Sequence, residues 1–268
     1  MAAPAGDLHR VAVVSDVHGN VTAYEAVLAD IARRGIEYVV NLGDLIGKGP
    51  RGSECIRMTR ERAIPTVRGN WDTFIARDTV QPWEHGQWVR DTLSEDERHW
   101  LATLPNVHEI VLSGQPIRFF HASPVSEFTR VFAPTSEDDH RAFVEQTEFT
   151  GQGPVPTIVG YGDIHGAYLA VDYGITVFNA GSVGNALDGP GAPYVILEGT
   201  TTEPQQGPGH RTGQGGDEPG HVGISFVRVP YDVEAEVEVA VALEMPGAEA
   251  YALELREQRY RGSAVTTA

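Results

Sequence analysis

The sequence is short of cysteine, of positive charge and of long apolar runs, and each shortage removes a class of function. A single cysteine, Cys55, leaves no partner for a disulfide within the chain. That suits a reducing compartment, so a cytoplasmic location is expected. Lysine and arginine number 20 against 37 acidic side chains, a formal net charge of -17. So acidic a surface repels polyanions, whereas gripping duplex nucleic acid requires many phosphates to be neutralised. Stable duplex binding is therefore not expected. A small phosphorylated substrate remains compatible, provided that bound metal ions bring local positive charge. No run of about 18 apolar residues occurs, so no membrane-spanning helix is expected. The opening MAAPAGDLHR lacks the apolar stretch of a secretory leader. Solenoid-type internal repeats are lacking too.

What the chain does have is apolar content, 41% over 268 residues, enough to bury one large core. A single domain over residues 1–268 is the simplest reading. Residues 11–15 (VAVVS) and 37–43 (EYVVNLG) read as buried strands. Between them Val21, Tyr24, Val27, Leu28 and Ile31 recur at helical spacing, with Asn20 before the helix and Gly35 after it. This β-α-β opening predicts an α/β core with parallel pairing. The segment 64–67 (IPTV) reads as a third strand. The spacing of 71–105 predicts helices covering one edge of the core as a small cap. Residues 107–121 predict a hairpin about the turn SGQP, and 136–149 a polar helix. Strands follow at 157–161, 167–172, 175–179, 193–198 and 223–229. The Gly- and Pro-rich stretch 199–221 reads as a flexible loop joining two neighbouring strands. Helices are expected at 232–257, and a frayed end over the last ten residues.

Polar residues able to bind metals stand where the predicted strands end. Asp16 and His18 follow the first, Asp44 the second and Asn70 the third. His121 ends a later strand, and Asp163 and His165 repeat the D-x-H spacing after another. Ligand sites in parallel-sheet folds gather at such strand ends. On extended chain, positions two apart also point to one side. Carboxylate, imidazole and amide oxygen together suit Mn, Fe, Zn or Mg, and the lack of thiolates argues against a structural zinc site.

In order along the chain, D16-V-H18-G19-N20, G43-D44, G69-N70-W71-D72, H121 and G162-D163-I164-H165 resemble the five motifs of the calcineurin-like metallophosphoesterases. The turns G43-D44-L45-I46-G47-K48-G49-P50 and N179-A180-G181-S182-V183-G184 are similar to those of its bacterial YfcE-like or diadenosine-tetraphosphatase-like branch. The resemblance runs from about residue 10 to 200. It implies a four-layer αββα sandwich of two mixed sheets flanked by helices. It also implies two divalent or mixed-valence metal ions, Mn or Fe foremost, with Zn, Mg or Ni as other candidates. One ion would be held by Asp16, His18, Asp44 and His165, the other by Asp44, Asn70, His121 and Asp163. A hydroxide between them would attack phosphorus, giving hydrolysis of a phosphoric ester or anhydride of a small molecule such as a nucleotide. Asp16, His18, Asp44 and Asn70 would carry the catalysis, with Asn20, Arg68, Trp71 and Asp72 against the substrate.

Two positions depart from that pattern. The usual G-H-x-H reads G162-D163-I164-H165, which brings the carboxylates to three and favours hard ions; Asp163 either ligates a metal or hydrogen-bonds a ligand. The usual histidine of G-N-H-D/E is Trp71, and an indole cannot donate a proton to a leaving group. Trp71 either stacks on a base or packs at the cleft rim. Lys48 and Ser123 adjoin motif residues, and His85, His99 and His108 lie in or near the cap as candidates for a replacement acid. Two alternatives to the hydrolase stay open. One is a catalytically weak metal- and nucleotide-binding regulator. The other, ranked lower because G-D-x-x-D-R-G is absent, is a protein Ser/Thr phosphatase.

Overall fold

Apolar side chains alternate along the strands, and the two sides they choose build the layers. This computed structural model describes residues 9–77, 83–199 and 220–260. Its first sheet runs in the order β2 (Tyr38–Asn41), β1 (Arg10–Val14), β8 (Ala192–Gly199), β9 (Val222–Val229). β1 is parallel to β2 and antiparallel to β8, which pairs antiparallel with β9. The second sheet runs β3 (Val107–Leu112), β4 (Gln115–Phe120), β5 (Ile158–Tyr161), β7 (Ile175–Asn179), β6 (Tyr168–Asp172). It too mixes parallel and antiparallel pairs.

Val11, Val13, Val195 and Leu197 of the first sheet meet Ile117, Phe119, Ile158 and Phe178 of the second in one buried cluster. Their neighbours Ala12, Val14, Tyr194 and Ile196 face the other way. There they pack against α1 (Val21–Arg33) and α2 (Gly52–Glu61), through Tyr24, Val27, Ile31, Cys55 and Ile56. On the far side, Phe120, Val159, Tyr161 and Val177 pack with Phe143 of α6 (Glu137–Phe143). The expected α+β sandwich, helix on sheet on sheet on helix, follows. The helices α3 (Asn70–Ala76), α4 (Glu84–Asp91) and α5 (Glu95–Ala102) join the α1 and α2 cluster through Ile75, Val89 and Leu101. The closing helices α7 (Val233–Ala242) and α8 (Ala248–Glu257) share a smaller cluster. None of the described helices is long and apolar enough to cross a membrane.

Several expectations need correction. Residues 64–67 make only an isolated parallel bridge, Asn41 with Thr66. Pro65 has no N–H, so pairing stops at two bonds, Asn41 N–H to Pro65 O and Val67 N–H to Asn41 O. The helix expected over 136–149 ends at Phe143, and Thr147 and Thr150 close a hydroxyl-bonded turn instead. The hairpin turn is tighter than SGQP: Leu112 pairs with Gln115, so Ser113 and Gly114 form it alone, at φ 54° and 73°. Two positive φ values are what a two-residue hairpin demands. Of the expected loop over 199–221, residues 200–219 lie outside the described residues, as do 261–268 of the frayed end and 78–82 of the cap. Gly199, the expected start of that loop, pairs with Val222, the residue just past its expected end, joining β8 to β9.

Candidate metal centre

The loops that leave β1, β2, β4 and β5 deliver six of the seven expected ligands to one place, and the first residue of α3 delivers Asn70. The D-x-H pairs converge for a different reason than alternation on extended chain. Asp16, His18, Asp44, Asp163 and His165 take φ of 52°, 51°, 52°, 66° and 56°. Left-handed backbone costs a residue with a side chain about 1–2 kcal/mol. Among the described residues, five of the ten such non-glycine positions are expected ligands, so the strain is concentrated where function is expected. Close approach is secured by Gly69, where a Cβ would collide with the Asp44 carboxylate and main chain.

Asp16 Oδ1 lies 3.2 Å from His165 Nε2 and 3.6 Å from His18 Nε2, and those two nitrogens are 3.0 Å apart. Asp44 Oδ2 faces His18 Nε2 at 3.6 Å, while its Oδ1 faces His121 Nε2 at 3.5 Å. Asp163 Oδ1 is 3.9 Å from His121 Nε2 and accepts a bond from Asn70 Nδ2 at 3.2 Å. Two buried groups, Asp16–His18–His165 and Asp16–Asp44–His121, have ligand atoms close enough to hold an ion each.

The donors fit metal ions. Each imidazole is oriented by a main-chain carbonyl on Nδ1: Ile46 O for His18, Leu42 O for His121 and Asn185 O for His165. A carbonyl only accepts, so Nδ1 carries a proton, and in the neutral ring Nε2 then turns a lone pair inward, as in second-sphere support of a metal-bound histidine. Two lone pairs 3.0 Å apart in His18 and His165 repel unless a cation lies between them. His121 Nε2 and Asp16 Oδ1 are buried with no hydrogen-bond partner, a costly state that a bound ion relieves. Electrostatics agree. Burial pushes Asp44 well above the usual carboxylate range, with Asp16 and Asp72 adding to it against His121. Burial would also raise Asp16, but His165, His18 and His121 hold it well below that range. Burial depresses His18 to about 4. It opposes protonation of His121 as well, yet Asp44, Asp16 and Asp163 overcome it and lift that imidazole to about 9. So many buried carboxylates call for positive charge.

The expected substrate contacts fare differently. Asn20 is fully buried and caps α1: its Oδ1 accepts from Ala23 N and its Nδ2 donates to Gly184 O. Asp72 is fully buried and accepts N–H bonds from Asp44, Leu45 and Gly69, so it clasps the Asp44 turn and cannot reach a substrate. Arg68 is spent on Asn106 and Glu127. Trp71 alone of the four lines the cleft beside the site, a cavity of about 640 Å³. Its ring packs edge-on against Trp83 and His85, and its backbone N–H donates to Asp44 Oδ1 at 2.9 Å. Lys48 also lines the cleft, held by Asn185 and Glu254. Ser123 serves a local turn. Of the candidate acids, His108 pairs with Tyr38 and His99 is exposed on α5. His85 reaches the cleft, but both its ring nitrogens face carbonyls, of Pro246 and Gly47.

Sequence reasoning missed two contributors. α8 and the residues around it supply a wall of the cleft, with Met245, Ala250, Tyr251 and Tyr260. Arg130, in the loop after β4, also lines it and grips Asp163: Nε to Oδ2 at 2.8 Å and Nη2 to Oδ1 at 2.9 Å. The available signal was Asp163 itself, since a third carboxylate among metal ligands invites a cation.

Comparison with known proteins agrees with this fold. A curated, uncharacterized protein of Methanocaldococcus jannaschii is 27% identical over 248 residues, covering 88% of this chain and 93% of its own. The solved structure of a metallophosphoesterase from Sphaerobacter thermophilus superposes with a TM-score of 0.66 at 22% identity, covering 93% of this chain and 99% of that one. A hypothetical protein from Pyrococcus horikoshii gives 0.70 at 18%, covering 95% and 99%. These two structures share the fold. The model of the calcineurin-like phosphoesterase superfamily domain matches residues 10–202, a span that holds every expected ligand. The chain therefore belongs to the calcineurin-like phosphoesterase superfamily and is a metal-dependent phosphoesterase.

Proposed function

We propose that the chain hydrolyses a phosphoric ester or anhydride of a small molecule, a nucleotide or other phosphometabolite, at two metal ions that share Asp44. Asp16, His18, Asp44 and His165 hold one ion, and Asp44, Asn70, His121 and Asp163 the other. The observation that carries this reading is the orientation of Asp44, whose Oδ2 faces His18 and whose Oδ1 faces His121. Three carboxylates and an amide oxygen among imidazoles suit Mn or Fe, with Zn, Mg and Ni as further candidates. Such ions supply charge to bind phosphate oxygens and make a hydroxide available at neutral pH. The protein orients them: Asp72 and the Trp71 N–H fix Asp44, and carbonyls fix the three imidazoles. Trp71, Trp83 and Tyr251 in the cleft wall suit a ring attached to the phosphate.

Trp71 favours a second reading, metal and nucleotide binding with weak turnover and a regulatory role, because His85, which packs against it, has both ring nitrogens on carbonyls. Turnover separates the two. Mn-loaded protein is expected to hydrolyse p-nitrophenyl phosphate or its bis-ester, and Asp44→Asn to abolish the activity. A screen over nucleotides, dinucleoside polyphosphates and sugar phosphates then ranks substrates. Phosphate binding without turnover under Mn, Fe, Zn, Mg or Ni would sink the hydrolase reading in favour of the second.

A further inference from the structure

Arg130 meets Asp163 edge to edge. Nε and Nη2 each donate to one carboxylate oxygen, and Nη2 also approaches the Asp163 main-chain oxygen at 3.5 Å. Among the described residues every hydrogen bond of Arg130 runs through those two nitrogens. Nη1 is left over on a side chain that is 56% exposed and lines the cleft with Asp44, Asn70 and His165. A guanidinium is a planar fork with five N–H donors, so one edge can be anchored while the rest serve another anion. Lys48, the other cation in the lining, is held by Glu254.

The charge balance gives the pair a purpose. Asp163 adds a negative charge where the family pattern has a neutral imidazole, and Arg130 adds a positive one beside it. The pair together is as neutral as the residue it replaces. Were Asp163 to share a lone pair with a metal ion, its hold on Arg130 would weaken, and the guanidinium already lines the cleft.

We infer that Arg130 is a phosphate-binding residue of this site, with Asp163 as its positioning residue, and that it brings the cationic donor which Trp71 cannot. The inference rests on the two-metal reading above for where the phosphate sits. A guanidinium does not give up its proton, so Arg130 stabilises phosphate charge and leaves leaving-group protonation untouched.

The test compares wild type, Arg130→Ala and Arg130→Lys, each Mn-loaded and metal-free. Mn content is read by elemental analysis and inorganic phosphate binding by calorimetry. Arg130→Ala is expected to keep the wild-type Mn content and to bind phosphate about tenfold to a hundredfold more weakly, the effect of losing a charge-assisted bond. Arg130→Lys should recover part of that affinity, restoring charge without the fork. Equal phosphate affinity in wild type and Arg130→Ala overturns the inference. So does loss of Mn from Arg130→Ala with full phosphate affinity regained at saturating Mn, because Arg130 would then only hold Asp163. A wild type that takes up no Mn counts instead against the two-metal reading, and the metal-free titrations then decide for Arg130 by the same comparison.

Discussion

Asp44 and Asp72 are neighbouring buried carboxylates with opposite duties. Asp44 turns its oxygens to the imidazoles on either side, while Asp72 turns both oxygens to backbone N–H groups, including that of Asp44. In Asp72→Asn an amide nitrogen replaces an acceptor oxygen and meets N–H donors. We expect a loss of about 1–3 kcal/mol in stability, read by urea denaturation, together with lower Mn content. A drop in substrate affinity alone, with stability and metal intact, would return Asp72 to the substrate. Residue 71 works through two separate parts. Its N–H holds Asp44, and its indole faces the cleft. Trp71→His therefore leaves the metal set in place and offers a proton donor. Rates on poor leaving groups should rise more than rates on good ones, toward the ~10²–10⁴-fold range of general acid catalysis. Equal gains on alkyl and aryl phosphates would refute this account of the position.

At the scale of elements, the cap is built of short helices, and the start of α5 is secured by side chains. Ser94 and Glu97 form a capping box at α5, and Ser53 of α2 donates to Glu97 as well. Ser94→Ala should cost about 1 kcal/mol of stability in a denaturant melt. It should leave turnover unchanged, because Ser94 does not line the cleft; a fall in kcat with stability intact would mean that the cap has a part in catalysis. Elements were legible where their periodicity was long or their ends carried turn chemistry. Asn20 and Gly35 marked the limits of α1, and the hairpin was visible from the strands flanking SGQP, though its turn is Ser113 and Gly114 alone. The segment 64–67 misled because β-branched residues flank a proline that cannot continue a ladder. The expected ligands stood out because apolar runs end near them. Arg130 was not, since it lies in a loop with no repeat and meets Asp163 only through the fold.

For the whole molecule, the centre holds strain and charge that bound ions would offset. Five expected ligand positions have left-handed backbone, and the Asp16 and His121 atoms stay unpartnered. Ions that bind only the folded state add about 2.7 kcal/mol at a hundredfold excess over Kd, worth roughly 5–10 °C in Tm for a chain of this size. Chelation should lower Tm by that amount, and Mn should restore it; a melt indifferent to chelator would argue against ions at these residues. The four-layer architecture was readable from the motifs through resemblance, while the closing wall of the cleft was not, because α8 reaches it only by packing. One detail bears on how such proteins diversify. The main chain of residue 71 is committed to Asp44, but its side chain is not. A lineage can exchange that side chain, and with it the range of bonds it breaks, while inheriting the same inorganic core.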